Sequence, residues 1–275
     1  MRNPKVTVLL PVFNGGSRLR DTVESIISQS FTDFEFLIIN DGSTDNTAEI
    51  LQSISDPRIR IIHKENEGLG KTLNLGLEIA LGEYIARIDA DDLATFDRLE
   101  KQVKFLNKHP NVAVMGSCMK IIYSDGTERI RRKPVSPESV RRHIIKSNPI
   151  AHPVAMFRKK IIQRLGAYDV TFDGSLGRRY GMDYNLWVRV MAAGFDLANH
   201  PDCLIIHRKH NKSISGNKRL RFMLMERARI RMWAKEKLQL GVKANFEISA
   251  VLILTLLQHL FSFRLDSTYN RLSSF

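Results

Sequence analysis

The chain has 275 residues, 43% of them hydrophobic and 26% charged, and carries a formal net charge of +13 from 42 basic and 29 acidic side chains. A mean hydropathy of -0.19 with ordinary glycine and proline content excludes a collagenous, disordered or multi-span membrane chain and leaves one folded core with an appendage. Cys118 and Cys203 are too few for a disulfide scaffold or a four-cysteine zinc site and favour a reducing compartment. The apolar stretch Val6–Leu10 ends at Pro11, well short of a signal-peptide core, so export is not expected.

From Lys5 to about Met115, short apolar runs alternate with helix-period segments, the pattern of βα units around a mostly parallel sheet. Val6–Leu10 reads as a buried strand, and Leu19, Val23, Ile26 and Ile27 follow at helical spacing. Glu35–Ile39 and Arg58–His63 read as the next strands, Leu69–Leu81 as a helix, and Glu83–Ile88 as the fourth strand. After Met115 the pattern becomes mixed. Met119–Tyr123 and Thr127–Arg131 flank Ser124-Asp125-Gly126, a hairpin signal because Asp-Gly accepts positive φ cheaply. Pro153–Phe157 and Cys203–Arg208 read as further strands, and Asp183–Ala193 as a helix capped by Asp183 and stopped by Gly194. Between Arg208 and Lys243 stand 12 Lys or Arg against 2 Glu, so much of the surplus charge is local. Ile248–Leu257 is almost wholly apolar and continues through Leu260, Phe261 and Phe263. Glu247, Gln258 and His259 keep it below the roughly 20-residue length of a membrane span.

The acids of Arg87-Ile88-Asp89-Ala90-Asp91-Asp92 fall where the fourth strand of a parallel sheet ends, the edge at which open α/β sheets bind ligands. Carboxylates at i and i+2 there can converge on a hard cation and leave coordination positions for phosphates; an acidic turn with Asp92 capping the next helix is the plainer alternative. Asn40-Asp41-Gly42-Ser43-Thr44-Asp45 ends the second strand at the same edge, where a short acid can bond a ribose or base and also begin a helix. Gly68-Leu69-Gly70-Lys71-Thr72 mimics the end of a phosphate-binding P-loop, but Glu65 occupies the position of the first glycine, and an ATPase is discounted.

Three stretches together, Val6-Thr7-Val8-Leu9-Leu10-Pro11-Val12-Phe13-Asn14, Asp41-Gly42-Ser43-Thr44-Asp45 and Ile88-Asp89-Ala90-Asp91-Asp92, resemble glycosyltransferase family 2 in order and spacing. Asn66-Glu67-Gly68-Leu69, Gly166-Ala167-Tyr168-Asp169, Asp183-Tyr184-Asn185-Leu186-Trp187 and His207-Arg208-Lys209-His210 extend the resemblance over about residues 5 to 215. It implies an α/β GT-A fold, a Rossmann-like doubly wound mixed sheet, with a helical C-terminal extension. The expected division is a catalytic domain over 1–215, with a nucleotide-sugar half to 115 and an acceptor half beyond, then a basic and apolar extension over 216–275. By the same resemblance Pro11, Phe13, Asp41, Lys71 and Asp89 would bind the nucleotide, and Asp89, Asp91 and His210 would hold Mn²⁺ or Mg²⁺. Asp183 would be the general base for the acceptor hydroxyl, in a place where the family pairs it with Glu and this chain has Met182. Arg178 and Arg179, in a glycine-rich segment, could clamp the diphosphate.

The reading is a metal-dependent inverting transferase taking a sugar from a nucleotide donor, UDP foremost, to a glycan or lipid-linked acceptor in surface polysaccharide or lipooligosaccharide synthesis. It would work in the cytoplasm, with the basic C-terminal region as a possible contact to the anionic inner face of the plasma membrane. The alternatives are a nucleotidyltransferase using the same acidic metal site, which needs no Asp183, and a nucleic-acid-binding protein using residues 208–243. The acids along the sheet edge oppose the latter, and no nucleic-acid partner is expected.

Overall fold

The computed structural model describes residues 3–172, 181–209 and 231–239. In chain order these form β1 (Val6–Val12), α1 (Arg18–Ile27), β2 (Phe34–Asp41), α2 (Thr47–Gln52), β3 (Ile59–Lys64), α3 (Leu69–Ile79), β4 (Tyr84–Arg87) and β5 (Asp92–Ala94). Then come α4 (Arg98–Lys108), β6 (Val112–Ile122), β7 (Glu128–Arg131), α5 (Pro137–His143), β8 (Met156–Arg158), α6 (Lys159–Arg164), α7 (Met182–Ala192) and β9 (Asp196–Arg208). Residues 231–237 are also helical.

One mixed sheet carries the fold, in the order β3-β2-β1-β4-β8-β6-β9-β5, with β7 paired to β6. β3, β2, β1 and β4 are parallel, and β8 turns the direction by pairing antiparallel with both β4 and β6. The chain runs outward from β1 to β3 and then returns through α3 to β4 on the other side of β1. The edge beyond β1 and β4 is therefore the topological switch at which such sheets take ligands.

β1 is buried along its whole length because helices cover both faces. Val6, Val8, Leu10 and Val12 pack with α1 and α4 residues such as Leu19, Val23, Leu99 and Val103, whereas Leu9 packs with Leu73 and Leu77 of α3. A one-residue slip of β1 would exchange these sets and put Thr7, bonded to Glu35 at 2.5 Å, into the wrong apolar layer. The second face is finished by α7 through Leu186 and Trp187 and by Ala234 and Leu238 of the C-terminal helical stretch. Arg231 there donates to the Lys146 carbonyl at 2.7 Å, so this part of the basic region packs on the core.

Several expectations are corrected. Pro153–Phe157 is a short 3-10 turn (His152–Val154) followed by β8, because Pro153 lacks the donor a ladder needs. Asp92 caps no helix: it opens β5, and Asp97 precedes α4. α7 begins at Met182 after Gly181, whose φ of 103° only glycine adopts cheaply, so Asp183 lies inside the first turn rather than at its cap. Cys118 and Cys203, cross-strand partners on β6 and β9, are joined as a disulfide, a pairing their number alone did not suggest. Asp173, Arg178, Arg179, His210 and most of the extension, 216–230 and 240–275, lie outside the described residues.

Gly82 shows how tightly the edge loop is held. Its N–H donates to Thr7 Oγ1 at 2.8 Å, and a Cβ built on it would meet the Thr7 nitrogen and the Val6 carbonyl carbon (2.6 Å), backbone atoms that cannot yield. Gly82→Ala should therefore cost about 1–3 kcal/mol and lower the melting temperature by several degrees, as thermal denaturation will read.

Candidate active site

The carboxyl ends of β1 and β2 are laced together. Asn14, at φ 54°, accepts from Thr44 N at 2.8 Å, and its own N–H donates to Ser43 Oγ at 2.9 Å. Gly15 N donates to Thr47 Oγ1 at 2.9 Å and Gly16 N to Asp45 Oδ2 at 3.1 Å. Pro11 is buried within β1, while Phe13 at its mouth is 52% exposed, a large apolar ring left facing solvent. Asp41 is almost wholly buried, and its carboxylate receives Lys64 Nζ at 2.6 Å and the N–H groups of Glu67 and Gly68 at 3.0 Å. It thus shapes the loop that starts α3. Lys71 stands on the exposed side of that loop, paired with Glu67 at 3.0 Å.

β4 ends in Arg87, 2% exposed, whose guanidinium pairs with Asp89 at 2.5 Å. A charged residue at the end of an apolar strand is the signal that marks Arg87, and the reading of the motifs passed over it. The neighbouring acids raise its pKa against the opposing effect of burial. Asp92 points inward, fully buried, and takes His207 Nδ1 at 2.7 Å; burial pushes its pKa up to about 6. The chain between is clipped from behind: Arg208 donates to the Asp91 carbonyl at 2.9 Å, pairs with Asp21, and donates to the Arg18 carbonyl at 3.1 Å. Asp89 and Asp91 stand partly exposed at the edge.

Asp183 lies in the first turn of α7, where helix N–H groups favour a negative charge. Asn148 Nδ2 donates to its Oδ2 at 2.6 Å. Burial raises the pKa of Asp183, while the Tyr184 N–H, Asn148 and the charge of Arg87 oppose the rise. Half-buried His152 contacts the Tyr168 hydroxyl at 3.0 Å and lies edge-on to Trp187; burial and the charge of Arg87 push its pKa down and favour the neutral imidazole. Arg87, paired with Asp89, also acts on Asp183 through its charge. Asn148 also escaped sequence reading, because a lone Asn before Pro149 reads only as a turn.

Among the described residues no three His, Cys, Asp or Glu side chains form a complete cation cage. Asp89 and Asp91 supply hard oxygen donors at one edge, a set that fits a Mg²⁺- or Mn²⁺-like ion completing its shell with diphosphate oxygens.

This architecture is that of GT-A transferases. The Glycosyl transferase family 2 model matches residues 7–181, and the chain belongs to that family of nucleotide-sugar glycosyltransferases. It is 33% identical to an uncharacterized glycosyltransferase of Haemophilus influenzae over 78% of this chain and 68% of the relative. It is 31% identical to the amylovoran biosynthesis glycosyltransferase AmsE of Erwinia amylovora, covering 72% and 74%. Among solved structures, a fragment of S. aureus TarS in complex with UDP-GlcNAc superposes with a TM-score of 0.65 at 15% identity, covering 91% of this chain and 81% of that one. A Pyrobaculum calidifontis mannosyltransferase in complex with GDP-Man and Mn²⁺ superposes with 0.61 at 17% identity, covering 99% and 81%. At such identities these two share the fold.

The Asp92–His207 contact has a measurable sign. The hydrogen bond and charge of Asp92 raise the pKa of His207 above its ordinary 6.5. The stabilisation from protonated His207 against ionised Asp92 is lost as pH rises through the raised folded value of His207, and also as pH falls through about 6, where Asp92 itself takes a proton. NMR titration of metal-free protein should show His207 titrating above an exposed histidine, and Asp92→Asn should bring it back down.

Proposed function

We propose that the chain is a metal-dependent inverting transferase that moves a sugar from a UDP-linked donor to a glycan or lipid-linked acceptor in surface polysaccharide synthesis. The observation that supports this reading is the acidic edge at the end of β4, where Asp89 pairs with Arg87 at 2.5 Å and Asp89 and Asp91 stand partly exposed, with the Arg87 charge also acting on Asp183. The family membership supports transfer and the AmsE likeness supports polysaccharide work, while the UDP-GlcNAc and GDP-Man complexes of the two fold neighbours agree with a nucleotide-sugar donor without choosing the base.

In this reading the nucleoside lies over β1 and β2, with Phe13 against the base, Pro11 lining the pocket, Asp41 holding the loop or contacting the ribose, and Lys71 at the rim. Asp89 and Asp91, with His210, are the residues that would hold the cation, and Arg178 and Arg179 those that would clamp the diphosphate. A bound divalent ion supplies charge neutralisation for the departing diphosphate. Asp183 removes the proton of the acceptor hydroxyl as its oxygen attacks the anomeric carbon from the face opposite the leaving group, which inverts that centre. The raised pKa of Asp183 suits a base near neutral pH, because a more basic carboxylate takes a proton more readily.

Calorimetry with and without Mn²⁺ tests the donor half. UDP should bind more tightly with the ion, and Asp91→Ala should abolish the gain; equal affinity in native protein ends the metal assignment. A hydrolysis screen over UDP- and GDP-sugars identifies the donor. With that donor, Asp183→Asn should leave UDP binding intact and lower turnover by about a hundredfold or more.

We also place the enzyme in the cytoplasm, at the inner face of the plasma membrane. No helix among the described residues is long and apolar enough to cross a membrane, and the 12 basic residues between Arg208 and Lys243 suit an anionic surface. Flotation with phosphatidylglycerol vesicles should show binding that fades as salt rises, since attraction decays over about 8 Å at physiological ionic strength. No flotation at low salt removes the membrane from this account.

A further inference from the structure

We propose that Asn148 is a positioning residue for Asp183, turning its carboxylate and holding it in the ionised, proton-accepting form; this rests on Asp183 being the base. Asn148 lies in the segment between α5 and the 3-10 turn at His152–Val154. Its Oδ1 accepts from Ile150 N at 3.3 Å, which orients the amide so that Nδ2 faces Asp183 Oδ2 at 2.6 Å. The reversed amide would set oxygen against carboxylate and lose both bonds. A charge-assisted bond of this kind favours the carboxylate over the acid.

The segment holding Asn148 is itself braced. Lys133 Nζ donates to the Asn148 carbonyl at 2.7 Å. Wholly buried Asn199, on β9, donates through Nδ2 to the Pro134 carbonyl at 2.7 Å and the Pro149 carbonyl at 3.2 Å, and its backbone N–H reaches Val135 O at 3.0 Å. These ties use the Asn148 backbone and its neighbours. Its side chain is spent on Ile150 N and Asp183, so removing the amide leaves the brace intact.

The groups acting on Asp183 come from four directions: Arg87 at the end of β4, Lys133 after β7, the Tyr168 hydroxyl, and the Tyr184 N–H of α7. Lys133 is a weakened cation, pushed down to about 8 by burial and then by Arg131, with Asp183 opposing. Arg87 is shared with Asp89. Asn148 is the side-chain donor bonded directly to the carboxylate, and losing it moves the protonation of Asp183 to higher pH.

The test uses the full chain and the donor found by the hydrolysis screen, comparing native protein, Asn148→Ala, Asn148→Asp and Asp183→Asn across pH 5.5–9.5. Asn148→Ala should keep its melting temperature, UDP affinity and donor KM. Its kcat should fall about tenfold near pH 6 and recover toward the native value in alkali, the acidic limb having moved up. Asn148→Asp should fall further, because two adjacent carboxylates share a proton. Carbon-13 NMR of the Asp183 carboxyl, assigned by its absence in Asp183→Asn, should show the same upward displacement without turnover. If Asn148→Ala has a native pH profile while Asp183→Asn is inactive, the positioning role is wrong and the base assignment stands. If Asp183→Asn turns over normally, both are wrong. If Asn148→Ala lowers the melting temperature, the isosteric Asn148→Asp decides, and a native profile there overturns the role.

Discussion

A buried guanidinium is what allows this site to exist. Asp89 and the buried Asp92 follow the end of β4 and Asp183 lies within reach of the same charge, and carboxylates gathered near one another repel and are driven toward the neutral acid. Arg87 answers that repulsion from inside the sheet: it pairs with Asp89, its charge lowers the pKa of Asp183, and it interacts with Asp92. Its Nε and Nη1 have no hydrogen-bond partner among the described residues. Buried N–H groups left without a partner are costly even on a paired guanidinium, and the surrounding packing must offset them.

The rest of the fold can be understood as keeping that edge open and in register. β1 is pinned between parallel neighbours with apolar layers on both faces, so the loops leaving β1, β2 and β4 cannot drift apart. Short side-chain bonds then tie the first loop to the second, while Arg208 fastens the acidic loop to α1. The proposed acceptor side is built separately, by α7 and the segment around Asn148, and the charge of Arg87 reaches it from the end of β4.

The sequence announced the donor half clearly, because each acid follows an apolar run whose length and β-branched content identify a strand. The resemblance of these motifs to a known family pointed to Asp183 as well. What escaped was long-range. Asp92 read as a helix cap because its partner His207 lies 115 residues away, and nothing local distinguishes a buried acid from a turn acid. Asn148 bonds Asp183 across 35 residues with no periodic signal at either end. Pro153 sat in an apolar stretch that looked like strand, but the missing amide won over hydrophobicity. The disulfide required the β6–β9 register, which no cysteine count contains.

β9 joins parts of the chain made at very different times. It pairs with β6 in parallel and with β5 in antiparallel, and its end supplies both His207 and Arg208 to the acidic loop. During synthesis, β1 through β4 can associate as soon as they emerge, since their contacts are comparatively local. Asp91 and Asp92 must wait more than a hundred residues for Arg208 and His207, and such non-local pairing is the slow part of folding. A nascent chain would thus hold a formed nucleotide-side sheet while its acidic loop remained unclipped. Completion of the acidic edge thus depends on β9, because His207 and Arg208 arrive with that strand.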